Sequence, residues 1–342
     1  MDQAVVARAP LRIPLGGGGT DLPSHYRAHG GFAVSATIDR HVHVMLSTAL
    51  ARRFRLKHLE WEDVERPEEI RHPILHAAVE RHWDRTPFEL ASVGDVPPGT
   101  GLGSSSAYTV GVLRALATAR GEQLSPEGLA ARACRLEIEQ LSQSVGVRDQ
   151  YAIAVGGVTA VTLAAGKPKA GAGPADDDWG DDIAVRRLDV SDATLAGLRD
   201  RFLLFFAGER QKTSESMLSP LIEGGDDAAM RRNLLRTAEI AREVAAALEA
   251  GDLATVGGLM DEQWALKVER TPNAITERIA QLHAVALERG RAGGAVLGGA
   301  GGGGFLLVYS EDPEATRTAM SAVDAPELRF SVELRGCSAG PA

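Results

Sequence analysis

Pro97-Pro98-Gly99-Thr100-Gly101-Leu102-Gly103-Ser104-Ser105-Ser106-Ala107 decides how this chain is read. A strand-like run over residues 88–93 leads into it. An apolar helical pattern over residues 108–119, stopped by Gly121, follows. A glycine loop that opens a helix leaves backbone N–H groups pointing outward beside the positive end of the helix dipole. Phosphate suits such a place. Ser104, Ser105 and Ser106 add hydroxyls that can cap the helix or reach a metal-bound phosphate. No lysine follows the last glycine, so this is not the G-x-x-x-x-G-K-[ST] loop of P-loop NTPases. A strand-to-helix turn that needs glycine only for its backbone is the competing reading.

Two further glycine stretches lie at the chain's ends. Arg8-Ala9-Pro10-Leu11-Arg12-Ile13-Pro14-Leu15-Gly16-Gly17-Gly18-Gly19-Thr20-Asp21 is near the start, and Gly298-Gly299-Ala300-Gly301-Gly302-Gly303-Gly304-Phe305 near the end. In order and spacing, the three resemble the motifs of the GHMP kinase superfamily, and the likeness covers nearly the whole chain. It implies an α+β, two-domain architecture: a ribosomal protein S5 domain 2-like N-terminal domain over residues 1–190 and a ferredoxin-like C-terminal domain over 191–342. It also implies ATP as phosphoryl donor with Mg²⁺. ATP would lie on Pro98, Gly99, Thr100, Gly101, Leu102, Gly103, Ser104, Ser105 and Ser106.

Composition agrees with a globular enzyme and excludes other classes. At 342 residues the chain exceeds the size at which one core usually keeps growing, so two domains are expected. A net charge of −9 lacks the basic footprint of a nucleic-acid binder, so an anionic substrate must be held by local basic groups. The first ten residues carry no basic, apolar leader, and no segment approaches membrane-spanning length; a cytoplasmic protein is expected. Cys134 and Cys337 fit no metal spacing and read as free thiols.

Strands are expected through residues 5–66, helices over 73–83 and 125–141, and a strand over 156–164. Residues 167–182 are polar, glycine-rich and acidic, and read as a loop. Beyond them come a buried strand (201–207), three helices (228–250, 253–270, 273–292), a strand (305–309), a helix (313–323) and a strand (329–334). A strand follows Gly299-Ala300-Gly301-Gly302-Gly303-Gly304, so this G-x-G-x-x-G match lacks the helix that dinucleotide binding needs. The serine run lacks the closing glycine of a hydrolase elbow.

Read from its neighbours alone, Asp149 fits a turn cap or an acid–base group equally well. The resemblance makes Asp149 the catalytic base and Arg12 its orienting, charge-stabilising partner. It gives the metal a hydroxyl from Ser105 and a carboxylate one helix earlier, where Glu137 and Glu139 compete. Glu137 shares a helical face with Ala133, Cys134 and Leu141 and is expected to point inward, with Glu139 in solvent.

Asp21, with Gly18, Gly19 and Thr20, is expected at the acceptor, as are Gly302 and Gly303. Galactokinases carry an acid and a histidine before the Thr-Asp pair, where this chain has only glycines. Gly30-Gly31-Phe32, Ser35-Ala36-Thr37-Ile38, residues 149–157 and Glu262-Gln263-Trp264-Ala265-Leu266-Lys267 instead resemble the heptose 7-phosphate kinases. Ala295-Val296-Leu297 departs from that group, where a lysine is expected. A loop carrying Arg210, Lys212, Thr213 and Ser214 is the candidate holder of the substrate's own phosphate.

The implied partner is thus a small sugar or sugar phosphate, bound by a monomer or homodimer. Another sugar-1-kinase (fucose, glucuronate, galactose or an amino sugar) and a silent sugar- and ATP-binding regulator are the alternatives. Lys267, near a helix end, reads as solvated, and Trp264 as core. His41 and His43 share a strand face without an acidic partner in sequence, and His72 reads as a helix cap or as facing water.

Overall fold

Two antiparallel-rich sheets with helices against them organise the chain. The computed structural model describes residues 4–166, 182–210, 216–218, 221 and 227–342. The first sheet begins with β1 (Val5–Gly16), a short helix α1 (Pro23–His29) and β2 (Gly31–Ser47). β3 (Phe54–Lys57), β4 (Trp61–Val64), helix α2 (Pro73–His82) and β5 (Glu89–Gly94) follow. After helices α3 (Ser104–Ala119), α4 (Pro126–Cys134) and α5 (Arg148–Val155) come β6 (Val158–Leu163) and β7 (Ile183–Arg187).

β2 is long enough to serve two neighbours. Its first half pairs with β6, from Gly31 opposite Leu163 to Ala36 opposite Val158. Its second half pairs with β5, from Val42 opposite Gly94 to Ser47 opposite Glu89. Alanine, valine and isoleucine fill its first half, and Val34, Ala36 and Ile38 are buried. α3 packs on β1 and β2 and places the central glycine loop at one end of the sheet.

The second sheet is built from helix α6 (Asp192–Arg201), β8 (Phe202–Phe206), helices α7 (Ala228–Ala250), α8 (Leu253–Arg270) and α9 (Glu277–Glu288), β9 (Ala292–Leu297), β10 (Phe305–Ser310), helix α10 (Pro313–Ser321) and β11 (Glu327–Leu328). Its strand order, β11-β8-β10-β9, is antiparallel throughout and gives the β-α-β-β-α-β course of a ferredoxin-like plait. Helix ends follow local chemistry. Ser125, Ser191, Asp227, Asp252 and Thr276 each accept a backbone N–H of the first turn, a cap worth about 1 kcal/mol. Gly251, at φ +76°, closes α7.

Several expectations need correction. Helix α1 interrupts the strand region, and β9 begins at residue 292, the expected end of the third helix, and runs on as a strand that was not expected. Residues 329–334 form no strand; Val332 makes only an isolated bridge to Ile38. The chain ends instead in β12 (Ser338–Pro341), which pairs with β1, and α7 packs on β1 and β2. The expected division at residue 190 is therefore crossed twice. His41 and His43 do meet an acid: Asp95 lies 3.7 Å from His41 and 3.2 Å from His43. His72 caps α2 as expected, and Trp264 is buried. Both cysteines are free and buried, and no helix among the described residues is long and apolar enough to cross a membrane.

Candidate active site

The three glycine stretches meet. A Cβ on Gly101 (φ +82°) would lie 2.7 Å from the carbonyl oxygen of Gly298, and one on Gly304 (φ +96°) 2.3 Å from that of Thr100. Neither position admits a side chain. Phe305 N–H donates to Thr100 O at 3.1 Å, which locks the third stretch to the central loop. The first stretch turns at Gly17, whose Cβ position is 2.1 Å from Phe32 O, while Gln263 grips it by accepting from Gly17 N and donating to Leu15 O. Between the loops opens a cavity of about 230 Å³.

Arg12 and Asp149 form its catalytic-looking pair. Arg12 Nε and Nη2 donate to the two carboxylate oxygens at 2.7 and 2.5 Å, a bidentate fork. Arg12 Nη1 donates to Gly101 O at 2.6 Å, so the same side chain fixes the central glycine loop. Arg148 adds a longer bond from Nε to Asp149 Oδ1, 3.3 Å. Burial opposes ionisation of Asp149, yet the guanidiniums of Arg12 and Arg148 outweigh it and hold the carboxyl down at about 2. Asp149 sits in the first turn of α5, where a carboxylate is favoured.

Glu137 is buried, and Glu139 lies in solvent beside Arg135. The backbone that achieves this is not the regular helix the spacing implied. Arg135–Gln140 winds as a π-helix, and Leu141 N–H reaches back five residues to Leu136 O. Such segments cluster at functional sites. Glu137 accepts from Thr109 Oγ1 at 2.6 Å, from Ser106 Oγ at 3.4 Å and from Gln150 Nε2. Burial pushes its carboxyl up to about 7, against those hydrogen bonds. Ser106, rather than Ser105, thus joins Glu137 directly, while Ser105 is exposed at the cavity.

An all-oxygen set of Glu137, Ser105 and Ser106 at the head of α3 fits a hard divalent cation such as Mg²⁺, which keeps several waters and shares phosphate ligands. When bound, Mg²⁺ would neutralise phosphate charge.

Among the described residues the cavity carries five basic side chains, Arg12, Arg148, Arg210, Lys267 and Arg270, against two carboxylates, Asp21 and Asp149. Lys267, expected in solvent, is buried and donates to Leu297 O at 3.0 Å and Gly299 O at 2.7 Å. Burial, then the guanidiniums of Arg270, Arg148, Arg210 and Arg12, hold it well below the ordinary lysine value. Arg270 donates to Gly18 O at 2.9 Å.

Some expected site residues serve the frame instead. Thr20 is buried and donates to Gly17 O and Phe32 O. Thr100 donates to Pro97 O, and Leu102 is core. Pro98 is exposed and, like Thr20, Thr100 and Leu102, does not line the cavity. Gly302 and Gly303 pack on Met217 and the Arg210 backbone, and Gly299 and Ala300 line the cavity in their place. Gly18, Gly19, Asp21, Gly99, Gly101, Gly103 and Ser104 line it as expected. Lys212, Thr213 and Ser214 lie outside the described residues. Arg148 and Arg270 gave no signal in sequence beyond their types, and Gln263 only its place in the Glu262–Lys267 resemblance, because only the fold brings them to the glycine loops.

The chain is similar to several known proteins. The description "GHMP kinases N terminal domain" matches residues 72–157 and "GHMP kinases C terminal" matches 244–326. A D-glycero-alpha-D-manno-heptose 7-phosphate kinase of Campylobacter jejuni is 24% identical over 90% of this chain and 89% of its own. A bifunctional fucokinase/GDP-fucose pyrophosphorylase of Arabidopsis thaliana is 23% identical over 90% of this chain and 30% of its own. The crystal structure of a D-glycero-D-manno-heptose 1-phosphate kinase from Bacteroides thetaiotaomicron superimposes with a TM-score of 0.76, at 19% identity, over 99% of both chains. With both domains matched, and three glycine loops closing over an arginine–aspartate pair, the chain belongs to the GHMP kinase family and is an ATP-dependent phosphotransferase.

Proposed function

We propose that this kinase transfers the γ-phosphoryl group of ATP to the anomeric hydroxyl of D-glycero-D-manno-heptose 7-phosphate, giving the 1,7-bisphosphate used to build nucleotide-activated heptose. The observation that carries this reading is the Arg12–Asp149 pair in a cavity whose remaining cations outnumber its carboxylates. The likeness to a heptose 7-phosphate kinase over 90% of the chain supports the acceptor.

Phosphoryl transfer asks for position and charge neutralisation more than for a strong base. Asp149, ionised at all working pH values, accepts the hydrogen bond of the attacking hydroxyl and orients it along the line of transfer. The proton passes to Asp149 late, as the bond to phosphorus forms. Arg12 balances the carboxylate before transfer and stabilises charge on the reacting oxygens during it. Backbone N–H groups at the head of α3, with Ser104 and Ser105, receive the triphosphate, while Glu137 and the neighbouring serine hydroxyls would hold Mg²⁺. Asp21 accepts from sugar hydroxyls beside Gly18 and Gly19. A silent regulator has no need of Arg12, Glu137 and Asp149 together in this arrangement.

ATP consumption across heptose 7-phosphate, unphosphorylated heptose, fucose, galactose, glucuronate and amino sugars tests the acceptor. The reading expects heptose 7-phosphate to give the highest kcat/KM. A preference for fucose or another unphosphorylated sugar would replace it with a different sugar-1-kinase.

A further inference from the structure

We propose that Arg148 and Arg270 form a subsite for the phosphate monoester of the acceptor sugar, at the end of the cavity opposite the nucleotide loop. This rests on the reading that the acceptor is a sugar phosphate, and it moves that phosphate away from the loop of Arg210 and Lys212.

A run of contacts orders the site in space. Gly101 O meets Arg12, Arg12 clasps Asp149, Asp149 meets Arg148, and Arg148 faces Gly18. Arg270 closes the run by donating to Gly18 O. The central glycine loop therefore lies at one end and the two arginines at the other, with the proposed acceptor of the hydroxyl's proton between them. Arg210 and Lys267 stand beside the third glycine stretch: a Cβ on Gly299 would lie 3.3 Å from Arg210 Nη2, and Lys267 holds Gly299 O.

Both arginines border the first glycine stretch, and room opens at Gly18. A Cβ on Gly18 would meet nothing nearer than Arg148 Nη1, at 3.5 Å, whereas one on Gly19 (φ +95°) would press on Leu234 at 3.2 Å and lie 3.7 Å from Arg270 Nε. Glycine at position 18 leaves space for a ligand that a side chain would occupy.

One hydrogen-bond donor at this end is unmet. Arg148 is only 8% exposed, and its Nη1 has no hydrogen-bond partner among the described residues. A buried donor without a partner is costly, and a ligand oxygen would meet it. Asp21 accepts from Gly19 N and Arg148 N and stands 4.0 Å from Arg148 Nε, while Asp149 is shared by Arg12 and by Arg148 Nε at 3.3 Å. Burial, followed by repulsion from Arg148, lowers Arg270 to about 10, against Asp21 and Glu269. A phosphate dianion would bring the missing acceptor and further negative charge, with oxygens that match the guanidinium fork.

Steady-state kinetics of Arg270→Gln and Arg270→Lys with heptose 7-phosphate, unphosphorylated heptose and ATP test the subsite. Loss of one charge-assisted contact to phosphate predicts a KM for the sugar phosphate raised about 10- to 100-fold in Arg270→Gln. KM for ATP and for unphosphorylated heptose should stay near wild type, with Arg270→Lys intermediate. An equal rise for ATP would assign the arginine to the triphosphate and overturn the proposal; so would an equal rise for unphosphorylated heptose.

Because Arg270 also holds Asn233, Thr237 and Gly18, inorganic phosphate gives a second readout. It should inhibit competitively against the sugar and not against ATP, and Arg270→Lys, which keeps the charge, should weaken that inhibition. If only unphosphorylated sugars are turned over, the acceptor reading fails, and phosphate competition still decides the subsite. No competition by phosphate overturns it.

Discussion

Arg12 and Asp149, 137 positions apart in the chain, face each other through two parallel hydrogen bonds, and the third donor of Arg12 holds Gly101 O. One guanidinium thus couples the acid that orients the attacking hydroxyl to the loop that receives the nucleotide. Asp149→Asn keeps the shape and removes the charge, so kcat should fall by about two to four orders of magnitude. KM for ATP should barely move. Turnover near the wild-type rate would reduce Asp149 to a turn residue.

The same pair sets an acid limit. Asp149 is held down at about 2, below its unfolded value of 3.8. A depressed carboxylate contributes stability that is present above the unfolded value and lost as pH falls through the folded one. Asp149 should therefore stay ionised through pH 5–8 and produce no inflection in kcat/KM there. An inflection near pH 6 that vanishes in Asp149→Asn would contradict this environment.

Glu137 carries the opposite sign. Its carboxyl is raised from 4.5 to about 7, so its contribution to the metal-free protein is full below 4.5 and lost as pH rises through 7. Thermal melts without metal should show wild type losing stability over that window relative to Glu137→Gln. A Mg²⁺ titration of activity should be shifted far more by Glu137→Gln than by Glu139→Gln, since Glu139 pairs with Arg135 at the surface. Equal shifts would remove Glu137 from the metal site.

Gly99 and Gly101 separate backbone strain from contact. Both have positive φ, +79° and +82°, but a Cβ on Gly99 meets open space and one on Gly101 strikes Gly298 O. Gly99→Ala should cost only the strain of a left-handed alanine, about 1–2 kcal/mol. Gly101→Ala should also part the two glycine loops and raise KM for ATP by about tenfold or more, the equivalent of at least 1.4 kcal/mol. Matching ATP affinities in the two variants would show that the loops need not touch.

Much of this was legible in the chain. The glycine stretches announced themselves because a left-handed backbone and a close approach both demand glycine; Arg12 stands in the first of them, while Asp149 and Glu137 came from the family resemblance, with helical phasing choosing Glu137 over Glu139. The amphipathic helices over 228–250 and 253–270 were read to the residue because Asp227, Asp252 and Gly251 punctuate them. What stayed hidden was non-local. β12 pairs with β1 across nearly the whole sequence, and β9, rich in glycine and alanine, lacks strand-like composition. Lys267 looked like a solvated helix-end lysine, and only the packing of α8 against β9 buries it. Arg148 and Arg270 became visible as site residues once Gly18 lay between them.

The most direct measurement of the central claim is ³¹P NMR of the product formed from ATP and D-glycero-D-manno-heptose 7-phosphate. The account predicts one new anomeric phosphate resonance beside the retained 7-phosphate, growing with ADP in wild type and nearly absent in Asp149→Asn. No transfer to this sugar, or a new phosphate on any hydroxyl other than the anomeric one, would contradict it.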